Sequence, residues 1–155
     1  MIPNRFLTNK QQEIWKHLSR KTSKAEIGRI LGITRQAVHY AEEAIIPKVE
    51  QALIQVAYSN MLDIKHIDVT NGVLLGYSPS SKNKVIITFS ATNGIQTWHY
   101  QNPNCSQCEW VKRCRKRLIE EASERGITLS KTDENMPPSK LALHIFSKII
   151  PELQI

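Results

Sequence analysis

The sequence predicts an α+β fold, with an N-terminal bundle of helices, a small antiparallel β-meander, a cysteine-rich segment and C-terminal helices. Three observations support this prediction. Apolar residues recur at helical spacing over about the first third of the chain. β-branched runs containing two Asn-Gly turns follow, and three cysteines then lie within ten residues of one another. We expect two domains, residues 1–58 and 59–155.

Three helix starts are predicted in the N-terminal third. Thr8, Ser23 and Thr34 each precede an amphipathic stretch and can cap it, because a hydroxyl oxygen accepts a hydrogen bond from a free backbone N–H of the first turn. Gln11 and Glu26 stand three residues after the first two caps, which is the spacing of a capping box. The apolar positions of the three helices are Ile14, Trp15, Leu18, Ile27, Ile30, Leu31, Val38, Ala41 and Ile45.

Two glycines mark the corner between the second and third helices. Gly28 is small where two helices must approach closely, and Gly32 stands where the chain must turn sharply, a position that favours positive φ. With these glycines and its apolar positions, the stretch from Lys24 to Ala41 resembles the helix-turn-helix of bacterial and archaeal regulators. Residues 7–58 look like the archaeal Tfx-type regulators and, more distantly, the DNA-reading helices of sigma factors.

The resemblance implies that the third helix enters the major groove of double-stranded DNA with its N-terminal turn toward the bases. An arginine can form a forked pair with guanine and a glutamine with adenine, while lysine and hydroxyl groups reach phosphates. The DNA-binding residues expected on this basis are Lys24, Thr34, Arg35, Gln36, His39 and Tyr40, with Lys21 and Arg29 as further phosphate contacts. The alternative is an ordinary three-helix bundle with a polar face.

The third helix is predicted to continue, because apolar residues recur at four-three-four spacing. Pro47 predicts a kink or the start of a new helix. The apolar stripe, which packs either on its own domain or on a second subunit, is Ile45, Val49, Ala52 and Val56. Since helix-turn-helix regulators usually bind two half-sites as dimers, we expect a homodimer.

Strands are predicted at residues 64–69, 73–77, 84–89 and 95–100, joined in a meander of three or four strands. The sheet could sense a ligand, mediate dimerisation or hold the segment that follows. The sequence does not distinguish these roles.

Cys105, Cys108 and Cys114 form a C-x2-C-x5-C segment. An odd, tightly spaced set points to a metal or a redox centre rather than a disulfide framework. The spacing resembles the cluster-binding segment of helix-hairpin-helix DNA glycosylases, of cluster-bearing RecB-type nucleases and of WhiB-like transcription factors. Those proteins use a fourth cysteine, and this chain has none.

His99 is the first candidate for the fourth ligand, with His66 and His144 as distant ones. The predicted cofactor is an iron–sulfur cluster, the four-iron type included, and the alternative is a structural Zn²⁺ site of three cysteines and one histidine. A segment that binds no metal is the third interpretation. For His99 the competing interpretation is a strand residue that faces solvent or a gap in the core.

A helix is predicted from the segment around Cys114 to about Gly126, which suits a C-cap. Its basic run, residues 113–117, either contacts phosphate or forms a solvated face balanced by Glu120, Glu121 and Glu124. Residues 130–138 are predicted to form a polar linker, and Ser139 is expected to cap a last amphipathic helix.

Composition sets the remaining expectations. The net charge is +7, of which residues 1–58 contribute +4 from nine basic and five acidic side chains, and a basic protein attracts phosphate. Without an apolar run of about 18 residues or a signal-peptide layout, we expect a cytoplasmic protein that has no membrane partner. No acidic cluster for magnesium and no glycine-rich phosphate loop is visible, so an enzyme is not expected.

These observations lead to one functional expectation and one alternative. The expectation is a sequence-specific DNA-binding transcription regulator with a metal centre that is structural or senses redox state or iron. The alternative is a sigma-like interaction module of the transcription machinery, because a helix-turn-helix can also bind protein.

Overall fold

The computed structural model describes residues 6–99 and 107–153. The chain begins with three helices, α1 (Asn9–Ser19), α2 (Lys24–Leu31) and α3 (Arg35–Ser59). Four strands follow, β1 (Asp63–Asp68), β2 (Val73–Ser78), β3 (Asn83–Ser90) and β4 (Gly94–His99). The C-terminal part contains α4 (Val111–Glu124), the short α5 (Lys131–Glu134), α6 (Pro138–Phe146) and a 3-10 turn at Pro151–Leu153. The predicted α+β class is confirmed.

The four strands form one antiparallel sheet in the order β1-β2-β3-β4. Each strand therefore pairs with its neighbour in sequence, as the predicted meander requires. Gly72 and Gly94 adopt positive φ at the two Asn-Gly positions, with values of 64° and 69°. The register of β1 against β2 shifts between Ile64 and His66, so this edge strand carries an irregularity.

The sheet lies between two layers of helices, because its two central strands are buried on both faces. Leu74, Val85 and Ile87 belong to one hydrophobic cluster with the apolar residues of α1, α2 and α3. Val73 and Ile86, one residue out of phase, belong to a second cluster with the apolar residues of α4 and α6. This period of two residues is what a strand buried on both sides produces. The predicted boundary between residues 58 and 59 falls where the first cluster runs from α3 into the sheet.

The helix α3 runs without a break through Pro47, so the new helix expected at this proline does not form. A proline ring removes one backbone N–H and crowds the preceding turn, but the apolar stripe of α3 is anchored along its length on both sides of Pro47. Ile45, Val49 and Ala52 are fully buried in the cluster that faces the sheet, and Val56 is half-buried there. The stripe therefore packs on its own chain.

The C-terminal segment differs from the prediction in two places. The expected linker contains the short helix α5. This helix begins with a reciprocal capping box formed by Ser130 and Asp133. The last helix begins at Pro138 rather than after Ser139, since proline with its fixed φ suits the first helical position. Among the residues that the structure describes, no helix is both long and apolar enough to cross a membrane.

A buried arginine joins α4 to the sheet. The expectation that Glu120, Glu121 and Glu124 balance a solvated basic face of α4 is wrong for two of the three. Glu121 and Glu124 are buried, with exposed fractions of 0% and 5%. The Arg125 guanidinium forms an ion pair with Glu121 and donates hydrogen bonds to four backbone carbonyls, that of Glu121 itself at 3.1 Å and three on the sheet side. The three sheet-side acceptors, on the turn before β2 and at the end of β3, are Asn71 (2.7 Å), Gly72 (3.2 Å) and Phe89 (3.2 Å).

The carboxylate of this pair is itself held by the sheet. Thr88 on β3 donates its hydroxyl to Glu121 Oε1 at 3.1 Å and accepts a hydrogen bond from Trp98 Nε1 at 3.2 Å. Burial raises the pKa of the Glu121 carboxyl above its ordinary value, although the neighbouring Arg125 charge and the Thr88 hydroxyl oppose this. The network thus satisfies both charges of the pair inside the protein.

We expect Arg125→Met to destabilise the fold by about 3–5 kcal/mol, because it leaves the buried Glu121 carboxylate without its cationic partner and removes a donor from three carbonyls of the sheet. Urea denaturation followed by circular dichroism measures this. The control is Lys116→Met, which removes an exposed cation from α4 and should change stability by less than about 0.5 kcal/mol. Adding Glu121→Leu to Arg125→Met should recover part of the stability. Equal stability of the two single variants would contradict the structural role of Arg125.

Candidate nucleic-acid interface

The predicted helix caps around the α2–α3 corner are present. The Ser23 hydroxyl oxygen accepts a hydrogen bond from the Glu26 N–H at 3.2 Å, and the Thr34 hydroxyl oxygen accepts one from the Ala37 N–H at 3.0 Å. The capping box expected for Glu26 is only half formed, since its carboxylate pairs with Arg29. By contrast, α1 has the complete box of Thr8 and Gln11. Each helix of this bundle therefore starts where the sequence predicts.

The turn between α2 and α3 depends on its two glycines. Gly32 ends α2 in the left-handed conformation with φ of 68°. Gly28 packs against the start of α3, because a Cβ on it would lie only 2.6 Å from the Ile33 carbonyl oxygen. The Ile33 N–H in turn donates to the Gly28 carbonyl at 2.9 Å. These backbone contacts fix the start of α3 relative to α2.

The first turns of α3 present polar groups to solvent while the opposite side is buried. Arg35 and Gln36 are exposed, Tyr40 is 61% exposed, and Val38 between them is fully buried. Gln36 Nε2 donates to the Tyr40 hydroxyl at 3.3 Å, one helical turn away. The residues predicted from the helix-turn-helix pattern therefore lie on an accessible surface.

Four of the six predicted DNA-binding residues line one surface cleft of about 280 Å³. They come from the first turn of α2 and the first turns of α3, and they are Lys24, Arg35, Gln36 and His39. We call this the α2–α3 cleft. The structure thus brings together side chains that the sequence separates by up to fifteen positions.

Charges in the α2–α3 cleft are unevenly paired. The Lys24 ammonium lies 3.3 Å from Glu42 and 3.0 Å from His39 Nδ1, and His39 Nε2 lies 3.2 Å from Glu43. An ammonium can only donate, so Nδ1 accepts and the ring proton belongs on Nε2, facing Glu43. Across the described parts of the chain, the Arg35 guanidinium has no carboxylate within 4.0 Å. Arg35 is therefore the cation of the cleft whose charge no carboxylate balances.

The acidic side chains of the cleft were not expected from the sequence. Glu43 stands four residues after His39, so helical spacing could have identified this pair. Glu42 pairs with Lys24 across eighteen positions, which only the docking of α2 on α3 creates. The outer predicted phosphate contacts are also engaged, since Lys21 donates to Asn71 Oδ1 at 2.7 Å and Arg29 pairs with Glu26.

The predicted metal ligands are only partly described. Cys105 lies outside the described residues. Cys108 is exposed, Cys114 is half-buried in the first turn of α4, and His99 is exposed at the end of β4, where it pairs in register with Val85. Within 6–99 and 107–153, no group of three or more histidine, cysteine or acidic side chains is arranged to hold a metal ion.

The two distant histidine candidates lie beside carboxylates. His66 Nδ1 is 3.3 Å from Glu152, and His144 Nε2 is 3.6 Å from Asp133, which is too long for a hydrogen bond. His66 therefore faces the C-terminal 3-10 turn, and His144 on α6 faces α5. Among the described residues, neither histidine belongs to a group of three or more side chains that could hold a metal ion.

The chain was compared with protein-family models, with curated proteins and with solved structures. No match was found in any of the three comparisons.

We expect Gly28→Ala to lower stability, because the added methyl group would meet the Ile33 carbonyl at 2.6 Å. The gain of about 1 kcal/mol in helix propensity is smaller than the roughly 2 kcal/mol cost of forcing two packed helices apart. Gly32→Ala is the companion variant, since its Cβ meets nothing within 4 Å and its cost of about 1 kcal/mol comes from backbone strain alone. Urea midpoints measure both effects, and a stabilised Gly28→Ala protein would show that the corner is not tightly packed.

Proposed function

We propose that the protein is a sequence-specific regulator of transcription that binds double-stranded DNA through α2 and α3. The observation that carries this proposal is the α2–α3 cleft, in which Lys24, Arg35, Gln36 and His39 meet at the N-terminal ends of two helices. The capped starts of both helices and the glycine corner between them support it, since a reading helix must be held rigidly to present its side chains.

The chemistry of the α2–α3 cleft suits a nucleic acid better than an apolar partner. Arg35 can donate two parallel hydrogen bonds to guanine, and Gln36 can pair with adenine. The hydroxyl groups of Thr34 and Tyr40 can donate hydrogen bonds to phosphate oxygens. The N-terminal end of α3 carries a partial positive charge, which favours an anion. Lys24, which lines the cleft and pairs with Glu42, would contact the phosphate backbone of the DNA.

The alternative partner is a protein of the transcription machinery, bound through the same face of α3. The exposed side chains of the first turns of α3 favour DNA, because they combine an arginine without a carboxylate partner with amide and hydroxyl groups and with one large ring, Tyr40. Protein interfaces are usually centred on buried apolar and aromatic anchors. The basic balance of residues 1–58 also favours a polyanion. We further propose a cytoplasmic homodimer that reads two half-sites.

Replacing Arg35 and Gln36 with alanine should abolish discrimination between specific and unrelated duplexes. Removing each base contact should cost about 1–3 kcal/mol, which is roughly tenfold or more in affinity for each residue replaced. Fluorescence anisotropy on an operator found by selection from random duplexes measures this at fixed salt. Lys131→Ala is the control, because it also removes one exposed cation but lies on α5.

Two outcomes would contradict the proposal. If the double variant bound the selected duplex as tightly as the unaltered protein, the α2–α3 cleft would not read bases. The second outcome is that no duplex is enriched, while a protein of the transcription machinery binds equally well to the unaltered protein and to the double variant. The interaction module would then be the better interpretation.

We also propose that Cys105, Cys108 and Cys114 bind a metal centre, as an iron–sulfur cluster or as Zn²⁺, with His99 as the fourth ligand. The support is the spacing of the thiols together with the position of Cys114 in the first turn of α4, directly after the segment that holds the other two. The described residues alone do not assemble a ligand group, so the proposal depends on Cys105. Such a centre would be structural or would sense redox state or iron.

Anaerobic purification followed by an optical spectrum and elemental analysis tests the metal centre. An iron–sulfur cluster should give broad absorbance near ~400 nm with iron and sulfide, whereas stoichiometric zinc without colour would identify a structural site. Cys105→Ser should remove the metal and His99→Ala should weaken it, while the control His17→Ala on α1 should retain it. If Cys105→Ser retained the metal, this ligand set would be wrong. If the unaltered protein contained no metal, the proposal of a metal centre would be wrong.

A further inference from the structure

A second cleft lies between α1 and α4, apart from the helix corner. Its volume is about 170 Å³, enough for several water molecules. The residues that line it are Lys16, Arg20, Thr92, Glu120, Ser123 and Glu124. We call it the α1–α4 cleft.

The two walls of the α1–α4 cleft carry opposite charges. Lys16 and Arg20 stand four residues apart at the end of α1, so both project from one side of that helix. Glu120 and Glu124 stand four residues apart on α4 and likewise share one side. The cleft therefore has a basic wall and an acidic wall, and its formal charges sum to zero.

The opposite charges do not neutralise each other directly. Within the described ranges, neither Lys16 nor Arg20 has a carboxylate oxygen within 4.0 Å. The charged groups of both walls therefore remain available to a molecule that occupies the cleft of about 170 Å³ between them.

Glu124 supplies an unsatisfied acceptor in the same place. Its side chain is only 5% exposed, and its Oε1 accepts hydrogen bonds from the N–H groups of Ala91 at 2.7 Å and Thr92 at 3.3 Å. Its other oxygen, Oε2, is buried and has no hydrogen-bond partner among the described residues. A buried carboxylate oxygen without a donor is costly, so a small rotation that turns the Glu124 carboxylate toward a cationic donor in the cleft would be favoured.

We propose that the α1–α4 cleft binds a small zwitterion of the size of an α-amino acid. Its ammonium group would donate to Glu124 and Glu120, and its carboxylate would accept from Lys16 and Arg20. A simple anion would leave the acidic wall facing it, and a simple cation would leave the basic wall facing it, so a molecule that carries both charges matches the cleft best. The proposal concerns binding alone and is independent of the proposed function.

A backbone-amide NMR titration with glycine, L-alanine and L-serine tests the proposal on the full chain. At least one of the three should give saturable shifts at Thr92 and Ser123 below ~10 mM, and acetate or methylammonium, each carrying half of the charge pattern, should bind at least about tenfold more weakly. Glu120→Gln and Arg20→Gln should each weaken binding by about tenfold. Glu134→Gln and Lys10→Gln, which neutralise exposed groups elsewhere, should not.

The same spectra show whether each variant keeps the fold, so weakened binding can be separated from unfolding. Absence of saturable shifts with all three zwitterions would overturn the proposal. So would equal affinity for acetate or methylammonium, or shifts that saturate away from the cleft. Any of these results would mean that the cleft does not select a molecule that carries both charges.

Discussion

The architecture depends on one buried ion pair. Arg125 stands just after α4, yet its guanidinium holds three carbonyls from the turn before β2 and the end of β3, while Glu121 balances its charge. These acceptors lie where the sheet meets both hydrophobic clusters. A buried pair is weak evidence for net stability, but removing one partner is strongly destabilising, so it selects a single docking of α4 on the sheet. The layer formed by α1, α2 and α3 then packs against a sheet whose position relative to α4 is fixed.

The caps, the glycine corner and the Asn-Gly turns could be predicted from the sequence, because their signals lie within a few neighbouring residues. The role of Arg125 could not. Glu121 and Arg125 have the i, i+4 spacing that a solvated helical face also has, and only the docking of α4 on β3 makes them internal. The same limit applies to Lys24 and Glu42 in the candidate site. Local pattern predicted which residues in the first turns of α3 are exposed. It could not predict that Glu42 on α3 pairs with Lys24 on α2.

The length of α3 follows from two opposing demands on one helix. Its middle and C-terminal parts bury Ile45, Val49 and Ala52 against the sheet, and this continuous contact carries the helix through Pro47. Its first turns expose one side for a partner and bury only Val38 on the other. The Thr34 cap and the contact of Gly28 with the Ile33 carbonyl also hold this end. Local hydrogen bonding and close backbone packing therefore add to the small apolar contact at the exposed end.

The α1–α4 cleft and the α2–α3 cleft border the same layer of helices, α1, α2 and α3. The α1 helix borders the α1–α4 cleft and packs in the same cluster as α2 and α3, and the Ser19 hydroxyl donates to the Glu124 carbonyl at 3.2 Å. A change in the spacing of α1 and α4 would therefore act on the helical layer that carries the α2–α3 cleft. Packed interiors do not deform smoothly, so such a change would shift whole helices rather than single side chains. The buried Arg125 on the sheet side would limit that movement to α1, because it fixes α4.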